Sequence, residues 1–181
     1  MTLLILECTP IRDRAPEGKI LNQFLTLPDL DFIDIKYKEF QKKAELIKFL
    51  SKNKNIVDHE FVHLSGHGSV TKKYRAMFEL SRGHLEACEF PDYCFLDQSL
   101  TLSACELGQK VWADTFLEQT GAIEVIGPKN EVSFTDACIF WINYYYLVLQ
   151  DGLKPKTAFD HTKTFLKKRV EGKFKYWRCV E

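Results

Sequence analysis

Two short motifs in the sequence pair a potential nucleophile with a potential base. Ser103-Ala104-Cys105 ends a β-rich run that starts at Ser99, and a helical pattern follows from Gln109 to Gln119. A cysteine at a strand exit that faces a helix N-terminus can carry a thiolate, because the helix end offers partial positive charge and unpaired N–H groups. A thiolate nucleophile also needs a base and an oxyanion site.

The candidate base is His67, which stands between two glycines after the strand-like run 60–65. We expect these glycines to permit positive φ and to let a substrate backbone come close. His63, within that run, alternates with apolar residues and is predicted to point into the packed interior. The carboxyl ends of parallel strands gather at one edge of a sheet, so His67 and Cys105 are predicted to meet there.

The elements that would position these residues alternate between strands and helices. This order predicts an α/β fold with a mostly parallel sheet and right-handed crossovers. Runs 74–80 and 84–90 flank Ser81-Arg82-Gly83, which predicts a small hairpin insertion. The hairpin could form a flap beside the site or decorate the sheet edge, and we favour the edge. Strands are expected at 3–7, 31–36, 60–65, 99–103, 122–126 and 174–180, and helices at 18–27, 38–52, 109–119, 134–150 and 155–168.

Composition limits the classes of function. The 181 residues, of which 45% are hydrophobic, are enough for one domain, which we take as residues 1–181. The formal net charge is zero, which gives no general attraction to nucleic acid or to an anionic membrane. The basic residues between 163 and 178 are interpreted as a solvated helix face. The apolar helix 134–150 is interpreted as part of the core, and a partner or dimer surface is the alternative for this helix.

The six cysteines are scattered and form no CxxC motif, which is typical of a reduced, intracellular protein and predicts a cytoplasmic location. The spacing of His84, Cys88 and Cys94 matches no common zinc pattern, so no metal is expected. Neither GxGxxG nor GxxxxGK[ST] occurs, and no cofactor is expected. The apolar start of the chain lacks the features of a signal peptide, and no segment is predicted to span a membrane.

The motifs resemble those of a known family. Phe61-Val62-His63-Leu64-Ser65-Gly66-His67-Gly68 and Leu102-Ser103-Ala104-Cys105-Glu106-Leu107-Gly108 are similar to the paired motifs of caspase-like cysteine peptidases, and most of all to CHAT domains, relatives of caspases and separase. The segments 120–127 and 150–159 also resemble the later part of that family. The resemblance covers about residues 55 to 168 and implies a caspase-like three-layer α-β-α sandwich.

The resemblance implies a role for each matching residue. His67 would assist proton transfer, Cys105 would attack the scissile carbonyl to form a thioester, and the backbone N–H groups of Gly68 and Cys105 would hold the oxyanion. Ser103 would line the pocket for the substrate side chain before the cut. The loop 128–133 would form another wall, in which Asn130 and Glu131 are candidate contacts and Glu131 could favour a basic side chain.

The function expected from residues and resemblance together is a cysteine endopeptidase that cuts a specific protein partner. By analogy alone, a role in bacterial antiviral defence or in regulated cell death would suit such a small relative. A regulatory partner, self-cleavage or dimerisation could supply the activation step, and the last strand could pair across a homodimer. One alternative is a catalytically silent caspase-like adaptor or binding module. Another is a different thiol chemistry, against which the absence of CxxC counts where that chemistry is redox.

Overall fold

A six-stranded central sheet organises the protein. The computed structural model describes residues 1–10, 13, 16–30, 34–70, 76–170 and 173–179. The strand order is β2-β1-β3-β7-β8-β9, and every neighbouring pair is parallel except β8 with β9. The strands of this sheet are β1 (Thr2–Glu7), β2 (Asp34–Glu39), β3 (Phe61–Ser65), β7 (Ser99–Ser103), β8 (Glu124–Pro128) and β9 (Phe174–Arg178).

Helices cover both faces of this sheet, which confirms the predicted three-layer α-β-α sandwich. Leu4 and Leu6 of β1 pack with one helix layer, while Leu3 and Ile5 pack with the other, as the two-residue period of a strand requires. The first layer holds α2 (Lys43–Leu50) and α3 (Lys110–Thr120); the second holds α1 (Glu17–Leu25), α4 (Phe134–Tyr145), α5 (Pro155–Phe165) and α6 (Lys167–Val170).

The helix α4 supplies the centre of the second layer. Ser133 caps it, since Ser133 Oγ accepts a hydrogen bond from the backbone N–H of Asp136 at 3.1 Å. The helix continues as a π-helical turn over Tyr146–Gln150. Most of its large side chains are buried, although Tyr146 is 42% exposed, and this supports the interpretation of the helix as core (Phe140, Trp141, Tyr144, Tyr145, Val148 and Leu149).

A second, antiparallel sheet lies between β3 and β7 in the chain. It joins β4 (His67–Val70), β5 (Ala76–Glu79) and β6 (His84–Leu85). The predicted hairpin is therefore present, but our preference for an edge decoration is wrong, because the sheet begins at His67 and borders the candidate site. His67 belongs to a strand, rather than to a loop, because pairing with β5 places it opposite Glu79.

The helix expected over 38–52 is shorter, because residues 38–39 belong to β2 and α2 begins at Lys43. The remaining elements lie close to their predicted positions. The structure places β2 about three residues later than predicted, and residues 31–33 lie outside the described part of the chain. Residues 71–75, which include the start of the predicted hairpin, also lie outside it. Across the described residues, no helix combines the length and the apolar character needed to cross a bilayer.

Candidate active site

Cys105 lies in a tight turn just beyond the carboxyl end of β7. The next residue, Glu106, has a φ of 67°, a left-handed conformation that costs energy for a residue other than glycine. The turn is tied to β8, since the N–H of Gly108 donates to Pro128 O at 2.8 Å. The helix α3 begins at Lys110, within one residue of the predicted start, so four residues separate Cys105 from the helix.

The backbone of Gly68 contacts the backbone of Cys105. An ideal Cβ on Gly68 would lie 1.8 Å from the carbonyl oxygen of Cys105 and 3.0 Å from its nitrogen. Of the two reasons expected for the glycines that flank His67, the positive φ is wrong, because neither Gly66 nor Gly68 has one. The close approach of a substrate backbone stays a prediction. Gly68 is needed because the start of β4 and the turn after β7 come together with no room for a side chain. The two predicted oxyanion donors, the N–H groups of Gly68 and Cys105, therefore lie on backbones in contact.

The ring of His67 lies between a carboxylate and an aromatic ring. Its Nε2 is 2.6 Å from Asp13 Oδ2, and the ring of Phe134 packs edge-to-face against it with centroids 5.3 Å apart. A carboxylate can only accept, so His67 Nε2 carries the proton, and in the neutral imidazole Nδ1 is then the nitrogen that can accept one. This arrangement of base and orienting carboxylate follows the general logic of catalytic triads.

The segment that leads into α4 contacts both candidate residues. The N–H of Val132 lies 3.4 Å from Cys105 Sγ and Val132 O lies 3.6 Å from it, while Phe134 contacts His67. An N–H that points at the sulfur is a suitable donor to a thiolate. Asn130 and Glu131 are exposed in the same loop. The structure therefore brings the predicted loop to the nucleophile; a contact of Asn130 or Glu131 with substrate stays a prediction.

Ser103 is more buried than a residue that lines an open substrate pocket needs to be. It is 7% exposed, and its Oγ accepts a hydrogen bond from Trp141 Nε1 at 2.9 Å. Its role toward a substrate side chain stays a prediction.

The other cysteines differ from Cys105 in burial or in position. Cys105 is half-buried, whereas Cys88 and Cys179 are exposed. Burial raises the pKa of Cys94 to about 12 and that of Cys138 to about 11, so both thiols stay protonated at neutral pH. A cysteine reacts as a nucleophile in its thiolate form. Cys105 is the better candidate because it is partly exposed and has a histidine nearby.

A buried polar cluster lies beneath the site, on the face of the sheet that α1 and α4 cover. As predicted, His63 points inward: it is fully buried, with Nδ1 2.8 Å from Thr101 Oγ1 and Nε2 3.4 Å from Glu17 Oε2. Glu17 Oε2 also accepts from Ser65 Oγ at 3.2 Å. Glu7 is buried beside this cluster, and desolvation raises the pKa of its carboxyl.

From the sequence, Asp13 was assigned no role, and Phe134 was placed only at the start of the helix expected over 134–150. A signal for Asp13 did exist: it follows a buried strand, and residues after the carboxyl ends of parallel strands share one edge of the sheet. Phe134 carried no comparable signal, since an aromatic residue at a helix start is common in cores.

No protein-family model and no curated protein sequence matches the chain. Solved structures do match it, among them the crystal structure of the Arg-specific cysteine proteinase gingipain R. That alignment covers 94% of this chain and 43% of that chain, with a TM-score of 0.56 and 12% sequence identity. The chain thus spans less than half the length of that proteinase. The mixed α/β architecture and this likeness identify the fold as caspase-like.

Proposed function

We propose that this protein is a cysteine endopeptidase, with Cys105 as nucleophile and His67 as base. Asp13 holds the imidazole of His67 in the tautomer that accepts a proton at Nδ1. The N–H groups of Gly68 and Cys105 hold the oxyanion. The finer resemblance to CHAT domains is part of this proposal.

In the proposed reaction, the proton of the Cys105 thiol passes to His67 and the sulfur bonds to the carbonyl carbon of the scissile peptide. The tetrahedral oxyanion collapses, the C–N bond breaks, and the leaving amine takes the proton from His67. Water then gives a proton to His67 and attacks the thioester. Cleavage of the C–S bond releases the new carboxyl product and returns the proton to the thiol.

The observation that supports this proposal most is the contact between Gly68 and Cys105. It brings together the two segments that follow the parallel strands β3 and β7, one with His67 and the other with Cys105, next to an orienting carboxylate. The fold likeness to a cysteine proteinase adds independent support, although at 12% identity it concerns the fold alone.

The substrate is proposed to be a protein. Ser103, Asn130 and Glu131 are the candidates to contact the side chain before the cut. The fold neighbour is an Arg-specific enzyme, and a glutamate in the loop beside the nucleophile would suit a basic side chain here too. A cytoplasmic location, a role in antiviral defence, and activation by a partner protein or by a second copy belong to the same proposal.

The test is cleavage of a diverse peptide library by purified wild type, Cys105→Ala and His67→Ala proteins. Cleavage by the wild type alone is the expected result, and the cut sites would reveal the preferred side chain. Retained cleavage in Cys105→Ala would exclude Cys105 as nucleophile, and retained cleavage in His67→Ala would exclude His67 as base.

If the wild type cleaves nothing, a thiol-reactive peptide probe separates a locked enzyme from an adaptor. Labelling at Cys105 that depends on His67 would indicate an enzyme that awaits activation. Labelling that is no faster at Cys105 than at the exposed Cys88 would contradict the proposal and favour a silent binding module.

A further inference from the structure

The small sheet of β4, β5 and β6 has one face that packs on the core and another that carries His67. Phe78 and Leu85 are fully buried and pack with the first helix layer. In the register of β4 with β5, Gly68 lies opposite Phe78 and His67 lies opposite Glu79. Because successive side chains of a strand point to opposite faces, His67 and Glu79 share the face that points away from the core.

The same register defines the rest of this face, which we call the outer face. Ser69 lies opposite Met77, and Glu79 lies opposite His84 on β6. All the side chains of the outer face are at least partly exposed (His67, Ser69, Met77, Glu79 and His84). The candidate base therefore belongs to an accessible surface that three strands build together.

Glu79 adds a carboxylate to the outer face beside His67. Residues directly opposite each other on antiparallel strands have Cβ atoms about 5 Å apart, so the two side chains start as close neighbours. Glu79 Oε1 accepts a hydrogen bond from Ser69 Oγ at 2.5 Å, which holds the carboxylate on this face.

The negative charge of Glu79 is not balanced by a nearby cation. His67 is paired with Asp13 instead, and no basic side chain in the described part of the chain forms an ion pair with Glu79. A partly exposed carboxylate that one hydroxyl group orients can still accept a charge-assisted hydrogen bond from a ligand. Glu79 is therefore suited to a basic group that approaches His67.

The proposed reaction indicates which part of a substrate would meet the outer face. The leaving amine takes its proton from His67, so the residue after the cut must lie beside the imidazole. The residue before the cut stays bonded to Cys105 Sγ, beside the loop 128–133, which contacts that sulfur through Val132. The two sides of the scissile bond thus face different elements of the protein.

We propose that the outer face of the small sheet binds the part of the substrate that follows the cut, and that Glu79 selects a lysine or arginine as its first residue. This inference rests on the proposed function. It concerns a different side chain of the substrate from the one assigned to Glu131, which lies before the cut.

The experiment measures how well two short peptides protect Cys105 from alkylation by iodoacetamide. Lys-Ala-Ala amide and Ala-Ala-Ala amide represent the leaving product, and both carry a free α-amine. Peptide mass spectrometry separates Cys105 from the exposed Cys88 and Cys179. For the wild type we expect the lysine peptide to protect Cys105 at about three- to fivefold lower concentration than the alanine peptide, as a partly screened charge contact allows.

The decisive variant is Glu79→Gln, which keeps an acceptor for Ser69 Oγ and removes the charge. The advantage of the lysine peptide should disappear in it, and Ser69→Ala should reduce that advantage because the carboxylate loses its hydrogen bond. Glu118→Gln is the control, since it removes an exposed carboxylate on α3, and it should keep the advantage. A thermal melt confirms that each variant is folded.

Equal protection of the wild type by the two peptides, including none by either, would overturn the proposal. An advantage of the lysine peptide that survives in Glu79→Gln would overturn it as well. If Glu79→Gln does not fold, an advantage that is undiminished in Ser69→Ala counts against the proposal in the same way.

The protection assay needs no cleavage, so its outcome is separate from that of the proposed function. A wild type that cleaves no peptide but is protected better by the lysine peptide would count against the peptidase and leave the binding surface. Where cleavage occurs, Glu79→Gln should lose the preference for Lys or Arg after the cut and keep the preference before it. An unchanged preference after the cut would contradict the role of Glu79.

Discussion

Gly68 and Cys105 touch through their backbones, and no side chain fits between them. An ideal Cβ on Gly68 would approach the carbonyl oxygen of Cys105 to 1.8 Å, far inside any real contact distance. The strand β4, which carries His67, and the turn that carries Cys105 can therefore come as close as observed only with glycine at position 68.

Gly68→Ala should accordingly disable the site. Either His67 or Cys105 must shift to admit the methyl group, and we expect peptide cleavage to fall by about 10²-fold or more. The measurement is cleavage together with a thermal melt to confirm folding. Gly152→Ala is the control, because Gly152 has a φ of 65° and no atom within 4 Å of an ideal Cβ, so it strains the backbone without touching the site. Normal cleavage by a folded Gly68→Ala protein would contradict the proposed oxyanion geometry.

Asp13→Asn should weaken catalysis without unfolding the protein. An asparagine can present an N–H to His67 Nε2, which favours the wrong tautomer of the imidazole. We expect cleavage to fall roughly 10²-fold with little change in KM. Asp160→Asn, which removes an exposed carboxylate paired with Lys156, is the control and should be silent. A KM effect alone would instead assign Asp13 to substrate binding.

Glu7→Gln should change how stability depends on pH. Burial raises the pKa of Glu7 in the folded protein, so the carboxyl favours the fold while protonated and loses that contribution as pH rises above about 4.5. Glutamine mimics the protonated form at every pH. We therefore expect the variant to match the wild type near pH 4 and to be more stable at pH 8 by about 1 kcal/mol, or roughly 2–4 °C in Tm.

The melting curves should be recorded at both pH values beside Glu45→Gln, an exposed carboxylate paired with Lys42. The difference between each variant and the wild type isolates one group from the other titrating residues. A Glu7→Gln difference that is the same at pH 4 and pH 8 would show that the folded protein does not disfavour the charged carboxylate.

Glu131→Lys should alter the preference for the residue before the cut. The side chain is exposed one residue before Val132, whose backbone contacts Cys105 Sγ. Charge reversal there is expected to reduce kcat/KM for substrates with Lys or Arg before the cut by several-fold, in line with a solvent-screened contact of about 1 kcal/mol. Comparison of matched Arg and Ala peptides is the measurement. An unchanged ratio would remove Glu131 from the pocket.

The sequence alone indicated those candidate residues that can be recognised from their neighbours in the chain. His67 and Cys105 follow strand-like runs and stand beside small residues, so each motif can be read within ten residues. Asp13 could not be assigned in that way, because its contact with His67 depends on which strands are neighbours and on the path of a loop. The strand β4 was not predicted, for a similar reason. Its backbone hydrogen bonds are made with β5, and no periodic pattern within Gly66-His67-Gly68 indicates them.

The order of synthesis has a consequence for the residues just before α4 and at its start. Val132 and Phe134 contact Cys105 and His67, and both come later in the chain than the residues they touch. A nascent chain that has emerged as far as α3 already contains the cysteine and the histidine, but it lacks the backbone N–H beside the sulfur and the ring against the imidazole. The contacts around the two candidate residues are thus complete only when the start of α4 has packed beside them, so they depend on more of the fold than the presence of the cysteine and the histidine.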